Sequence, residues 1–371
     1  MALALLSRAW EELFGRMRPG ATISAALAWL FLAGAASAQT LTIGVAAPLS
    51  GASAILGKQI EVGAGLAAQA NGVELKTEDD ACTADGGAAA ARALAAARVS
   101  VVIGFLCTEA IEAAMPILKD ANIPVVTVGV RTESLTDRRA KTGWPVYRLG
   151  PRGDDERNAV ASTLTRLWQN ELFAIIDDGT IYGREMAETF RAAAEQAALK
   201  PVFVDTFRPQ LDNQIGMIGR LKKAGATHVF AGGDGDDVAI MGRDAAQLQA
   251  GMVFAGGENL RTPPGDVAYA TGTLMIAPPE WADVADAKAL ESFSAQKIVP
   301  EGYTLPAYAA VEIAKAASTL SPGKPLTEVL SGHDFTTAIG PVRFDAKGDL
   351  SQSPYRVFRF DGARFVPLES N

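Results

Sequence analysis

The sequence is poor in the residues that most often carry chemistry. It has two histidines and two cysteines among 371 residues. No His/Cys set has the spacing of a metal site. His228 stands inside an apolar run and reads as structural, and His333, in a Ser-Gly-His-Asp turn, reads as exposed. A nucleophile elbow of the G-x-S-x-G type is missing. So are the phosphate-binding Walker loop and the G-x-G-x-x-G dinucleotide fingerprint. Gly232-Gly233-Asp234-Gly235 is glycine-rich but lacks the third glycine of that fingerprint. No cofactor is implied, and a hydrolase or dehydrogenase of this size would ordinarily show one such signal. Excess positive charge is also missing: 34 Lys and Arg stand against 42 Asp and Glu, a net charge of −8. That balance argues against nucleic acid or an anionic membrane surface as the main partner. Arg138, Arg139 and Lys141 form a short cluster that reads as a solvated loop.

Long apolar runs are confined to the N-terminus. Arg8, Arg16 and Arg18 precede a nearly uncharged stretch over 21–36, which ends in Ala36-Ser37-Ala38. A basic start, an apolar middle and a small-x-small end make a secretory signal, with cleavage expected after Ala38. The run is too short for a firm transmembrane helix, and an uncleaved anchor is the alternative. Cleavage would leave about 330 residues, suited to two lobes rather than one core. Nearly half the residues are hydrophobic, so burial is not limiting. Export would place Cys82 and Cys107 in an oxidising compartment, where a pair is expected to join. Closing a loop of about 25 residues would stabilise the fold by roughly 3 kcal/mol. Two buried free thiols are the alternative.

What the chain does have is a regular alternation. Strands are predicted over 41–47, 73–78, 99–105 and 123–128, with helices over 57–71, 85–98 and 108–119. The rhythm restarts with helices over 154–169, 184–197, 213–223 and 236–248, and strands over 173–177, 202–207, 228–231 and 252–255. The near-continuous apolar run of 99–105 fits a strand covered on both faces. Such alternation predicts an α/β fold with mostly parallel sheets flanked by helices. The restart near residues 150–153 (Gly-Pro-Arg-Gly) marks a crossover between two lobes. Two long helices are expected over 287–298 and 304–319. Short strands are expected over 342–367, with turns at Lys347-Gly348 and Asp361-Gly362.

Open α/β sheets bind ligands beyond the carboxyl ends of their strands. That directs attention to the loops at 48–57, 107–109, 129–133, 178–183, 234–237 and 257–259. Here the sequence resembles the branched-chain amino-acid (leucine/isoleucine/valine) binding proteins of bacterial ABC importers. The matching pieces are APLSG at 47–51, DDAC at 79–82, IGFLC at 103–107, IYG at 181–183, GGEN at 256–259 and IGPVRFDAKGDL at 339–350. Each is weak alone, but six in order span the chain after residue 39. The resemblance implies the type I periplasmic binding protein fold with three crossovers. Lobe 1 would hold 39–150 and 278–338, and lobe 2 would hold 151–277 and 339–371. It also implies a Cys82–Cys107 disulfide, a periplasmic location, a monomer and an inner-membrane permease partner. The ligand would be an amino acid or a related amide or carboxylate, captured by hinge closure.

The implied ligand-binding residues are Ser50, Leu56, Thr108, Glu109, Gly129, Val130, Arg131, Tyr182, Asp234 and Glu258. Thr108 and the backbone of Gly129 and Val130 would meet the carboxylate, Glu258 the ammonium, and Tyr182 would close from lobe 2. Several positions depart from the family pattern. Arg131 replaces a threonine and offers a planar fork suited to carboxylate. Glu109 replaces a small polar residue and could pair with Arg131, leaving no free cation. Leu56 replaces a covering aromatic. Asp234 and Asp236 replace tyrosines. The cleft is therefore expected to be more charged than a leucine site. Blander roles stand beside these: Thr108 as a helix N-cap, Tyr182 as part of a helix start, Glu258 as an exposed turn residue, Arg131 and Glu109 as a surface pair. A ligand sensor of the same fold is the alternative to transport. An enzyme using Glu109, Asp234 and Glu258 as acids is a third reading.

Overall fold

The computed structural model describes residues 41–321 and 323–368. The expected signal sequence and cleavage point lie outside the described residues. Strands β1 (Thr42–Ala47), β2 (Glu74–Asp79), β3 (Val101–Gly104), β4 (Val125–Thr127) and β5 (Val146–Arg148) form one parallel sheet in the order β2-β1-β3-β4-β5. Helices α1 (Ala54–Asn71), α2 (Ala84–Ala96) and α3 (Thr108–Asp120) connect its strands. The apolar residues of β1 and β3 are fully buried on both faces, as continuous hydrophobic runs in a covered parallel sheet require.

The second lobe repeats the plan. Helix α4 (Asp155–Leu167) leads into β6 (Phe173–Asp177), α5 (Ile181–Gln196), β7 (Phe203–Thr206), α6 (Ile215–Lys223), β8 (His228–Gly232), α7 (Gly235–Gln247), β9 (Val253–Gly256) and β10 (Leu274–Ala277). Its parallel part runs β7-β6-β8-β9-β10, the same 2-1-3-4-5 order as the first sheet. Each sheet therefore reverses its winding beside its first strand, and the crevice at that switch point is where such sheets hold ligands.

The chain then returns. Helices α8 (Ala287–Ala295) and α9 (Thr304–Leu320) pack into the first core through Phe293, Tyr308 and Ile313. Helix α9 lies directly on α1, and a Cβ at Gly63 would collide with the backbone of Thr304. Strands β11 (Asp334–Thr337) and β12 (Gly340–Arg343) form an antiparallel hairpin. Finally β13 (Arg356–Phe360) and β14 (Phe365–Pro367) extend the second sheet in antiparallel fashion beside β10.

This corrects the boundary expected at 338/339. Phe335, Val342 and Phe344 all lie in the first core, with Leu350 packed against it, whereas Tyr355 and Phe358 belong to the second lobe's cores. The hairpin is held by its own ladder and by apolar burial against lobe 1, so the third crossing falls between 350 and 355. Cys82 and Cys107 are bonded, with Cα atoms 5.2 Å apart. His228 is half-buried beside Trp168, with burial holding its pKa below the usual histidine value.

Candidate ligand-binding site

The loops at the carboxyl ends of the two sheets meet across the cleft. Arg131, on the loop after β4, reaches from lobe 1. Glu258, at the start of a 3-10 turn (Glu258–Arg261) after β9, comes from lobe 2. Arg131 Nη1 donates to Glu258 Oε1 at 2.6 Å, and Arg131 Nη2 donates to the Tyr355 hydroxyl at 2.7 Å. That hydroxyl donates on to Glu258 Oε2 at 3.1 Å. Arg131, Glu258 and Tyr355 thus close a ring of charge-assisted hydrogen bonds between the lobes. Burial, the largest single influence, would lower the Arg131 pKa, but the bond to Glu258 together with the electrostatic influence of Tyr355, Glu258 and Glu156 outweighs it and holds the guanidinium more firmly charged than usual.

A second carboxylate lies beneath the ring. Glu156, in the first turn of α4, is 5% exposed. Its Oε1 accepts the Tyr182 hydroxyl and the Glu258 backbone N–H, both at 2.6 Å. Gly257 is required here, because a Cβ would run into the Glu156 carboxylate and the Tyr182 hydroxyl. Burial, then repulsion from Glu258, pushes the Glu156 pKa up. Burial, then Glu156, raises that of Tyr182. Tyr355 is raised by burial first and by Glu258 next.

The Arg131 loop is fixed from behind by Arg148, whose side chain is fully buried on β5. Its Nη1 donates to Val130 O at 2.6 Å and its Nη2 to Thr132 O at 2.9 Å, the two carbonyls flanking Arg131. Its Nε donates to Asp349 Oδ1 at 2.9 Å, and Arg152 on the first crossover donates to Asp349 Oδ2 at 3.0 Å. A buried charge needs such partners, since losing one leaves the other uncompensated at a cost of about 3–5 kcal/mol. The loop carrying Arg131 is therefore tied to the first crossover and to the segment just before the third.

The expected residues divide into two sets. Arg131, Tyr182 and Glu258 come together, with Gly129 beside them and Thr108 bonded to Thr132 at 2.5 Å, one residue from Arg131. The pairing of Arg131 with Glu109 is not formed. Glu109 is exposed on the first turn of α3, while the arginine fork is taken by Glu258 and Tyr355. Val130 is buried in the first lobe's core, its N–H donates to Thr127 and its carbonyl serves Arg148, so its backbone is already occupied. The Ser50 hydroxyl is bonded to Asp79. Leu56 lies on α1 and is 38% exposed. Asp234 is exposed, and its carboxylate accepts from the Asn259 amide at 3.5 Å. Glu156, Tyr303 and Tyr355 were missed. Glu156 is masked by the acidic run of Asp154 and Asp155. Tyr355 lies 97 positions from Glu258 and reaches it only through the antiparallel return of β13.

Two matching lobes, a cleft at their switch points and a ring of opposite charges across it define a two-lobed binding protein. A family model described as periplasmic binding protein matches residues 40–364. The chain belongs to this family, a solute-binding fold of the periplasm. It is 28% identical over 351 residues to the Leu/Ile/Val-binding protein homolog 3 of Brucella melitensis, covering 89% of this chain and 94% of that protein. Among solved structures it superposes on a putative branched-chain amino acid ABC transporter protein from Rhodospirillum rubrum, with TM-score 0.74, 17% identity, and 89% and 100% of the chains covered. A solute-binding protein from Rhodopseudomonas palustris in complex with 3,4-dihydroxybenzoic acid gives TM-score 0.58 at 18% identity, with coverages of 86% and 93%. Both solved structures are named for ABC transporters, and the Brucella relative is named for binding leucine, isoleucine and valine.

Proposed function

We propose that this chain delivers an amino acid, or a related amide or carboxylate, to an inner-membrane ABC permease. It works as a monomeric carrier rather than an enzyme, after cleavage behind Ala38. The observation that carries the ligand class is the Arg131–Glu258 contact of 2.6 Å between the lobes. A zwitterion fits it in kind. Its carboxylate takes the guanidinium and its ammonium takes Glu258, so one charge-assisted contact is exchanged for two. Thr108 and Thr132, bonded to each other one residue from Arg131, supply further hydroxyls on the same loop side of the cleft. Tyr182 and Tyr355, held by Glu156 and Glu258, present hydroxyls from the other lobe.

Calorimetric titration of the chain from residue 39 onward against amino acids, amides and small carboxylates tests this. Arg131→Ala and Glu258→Gln should each weaken binding of the best ligand at least tenfold, about 1.4 kcal/mol. If both stay within about twofold of the parent, the cleft assignment is wrong. Ligands lacking an amine that depend on Arg131 but not on Glu258 would move the class to plain carboxylates.

A further inference from the structure

The charged ring occupies only one side of Glu258. On the other side a hollow of about 630 Å³ opens between the two lobes. Its walls include Pro151 on the first crossover, Pro278 and Pro279 on the second, and Trp281, Tyr303 and Pro306. Glu258 belongs both to this lining and to the ring with Arg131. Tyr303 is shared in the same way: its ring lies within contact of Gly129 on the Arg131 loop, and its pKa responds to burial first and then to Arg131 and Glu258. Hollow and ring are therefore neighbouring compartments of one cleft.

The chemistry of the two differs. The ring and the Glu156 carboxylate beneath it offer the Arg131 guanidinium, the carboxylates of Glu258 and Glu156, and the hydroxyls of Tyr355 and Tyr182. The hollow offers mainly proline, aromatic and aliphatic side chains, with the Glu280 and Glu301 carboxylates, Asn259 and Thr262 also in its wall. The one guanidinium in its wall, Arg261, is already spent on the Glu280 carboxylate and the Pro278 carbonyl. The proline rings, Trp281 and Tyr303 in this wall suit an aryl group, because rings stack on Trp and Tyr faces with gain beyond their area. The volume is in the range of whole small-molecule pockets, about 300–1,000 Å³, and so exceeds what the side chain of a small amino acid would fill. We infer that the ligand is an α-amino acid with an extended aryl tail, its charged head on Arg131 and Glu258 and its tail in the hollow at the crossovers. This rests on the head-group assignment made above.

The probes are L-alanine, L-phenylalanine and L-homophenylalanine, titrated into the chain from residue 39 onward. Homophenylalanine should bind at least tenfold tighter than alanine. Its binding should shift tryptophan emission, and the shift should vanish in Trp281→Phe. Ala282→Trp fills the hollow from its wall. It should weaken homophenylalanine at least tenfold while leaving alanine within about twofold, which also shows that the variant is folded. Equal affinity for alanine and homophenylalanine, or an emission shift that survives Trp281→Phe, would overturn the second compartment. So would homophenylalanine binding untouched by Ala282→Trp but lost in Glu258→Gln; there the head site stands and the tail site falls. Indifference of both ligands to Glu258→Gln would overturn the head site, and the inference with it.

Discussion

Glu156 is the residue on which the site's titration turns. Its carboxylate is nearly buried, accepts two hydrogen bonds and faces Glu258, Tyr182 and the Arg131 guanidinium. Its folded pKa lies above the ordinary 4.5. Between those two values the native state binds more protons than the unfolded chain, so this group's contribution to stability falls as pH rises through that window. Glu156→Gln keeps an oxygen for both donors and does not titrate. The variant's melting temperature relative to the parent should therefore climb as pH increases from about 4.5 and level off above the raised value. Melting curves across that range check it, and a constant offset would show that Glu156 does not titrate there. The residue was illegible in the sequence because Asp154, Asp155 and Glu156 read alike as acids in a first helical turn. Only the approach of Gly257 singles out the third.

At the scale of elements, α1 shows how close packing decides the worth of a glycine. Gly63 lies under Thr304 of α9 with no room for a Cβ, whereas Gly65, two positions on, has nothing within 4 Å. Gly63→Ala should destabilise by about 1–3 kcal/mol through overpacking. Gly65→Ala should stabilise by up to about 1 kcal/mol, because alanine loses less backbone entropy in a helix. Chemical denaturation of the two variants measures both, and equal signs would mean that the α1–α9 contact is looser than described. Most elements were legible from their apolar periodicity. Three strands were not. β5 carries the buried Arg148, which hides its apolar pattern, and β10 is a four-residue apolar run too short to be typed by periodicity. In β11, inward Phe335 and Thr337 alternate with exposed Asp334 and Thr336 over only four residues.

At the scale of the whole molecule, two sheets of the same order face one another, and ion pairs join their loops. Arg131–Glu258 is one, and Arg157–Glu133, at 3.1 Å, is a second between the lobes. Both pairs are only half-buried, so each alone contributes modestly, and together they are expected to favour the closed arrangement of the hinge. The ligand-free double variant Arg131→Ala/Arg157→Ala should have a larger radius of gyration by small-angle scattering than the parent. Adding ligand to the parent should reduce it. Unchanged radii in both comparisons would remove these pairs from any part in closure.

The sequence by itself determined the alternation of strands and helices, the restart that makes two lobes, and the loops where a ligand can meet them. Those features follow from local periodicity and from the fixed geometry of parallel sheets. It also pointed to Arg131, Tyr182 and Glu258, through the resemblance to the branched-chain amino-acid binding proteins at the loops beyond the strand ends. The tertiary structure decided who meets whom. It gave Arg131 to Glu258 and Tyr355 rather than to Glu109, kept the hairpin after Thr337 with the first lobe, and set a ring-walled hollow beside the charges. Those outcomes depend on how far two separately folded sheets approach and on which buried charges find partners. Both are sums over contacts distant in the chain, to which local pattern is blind.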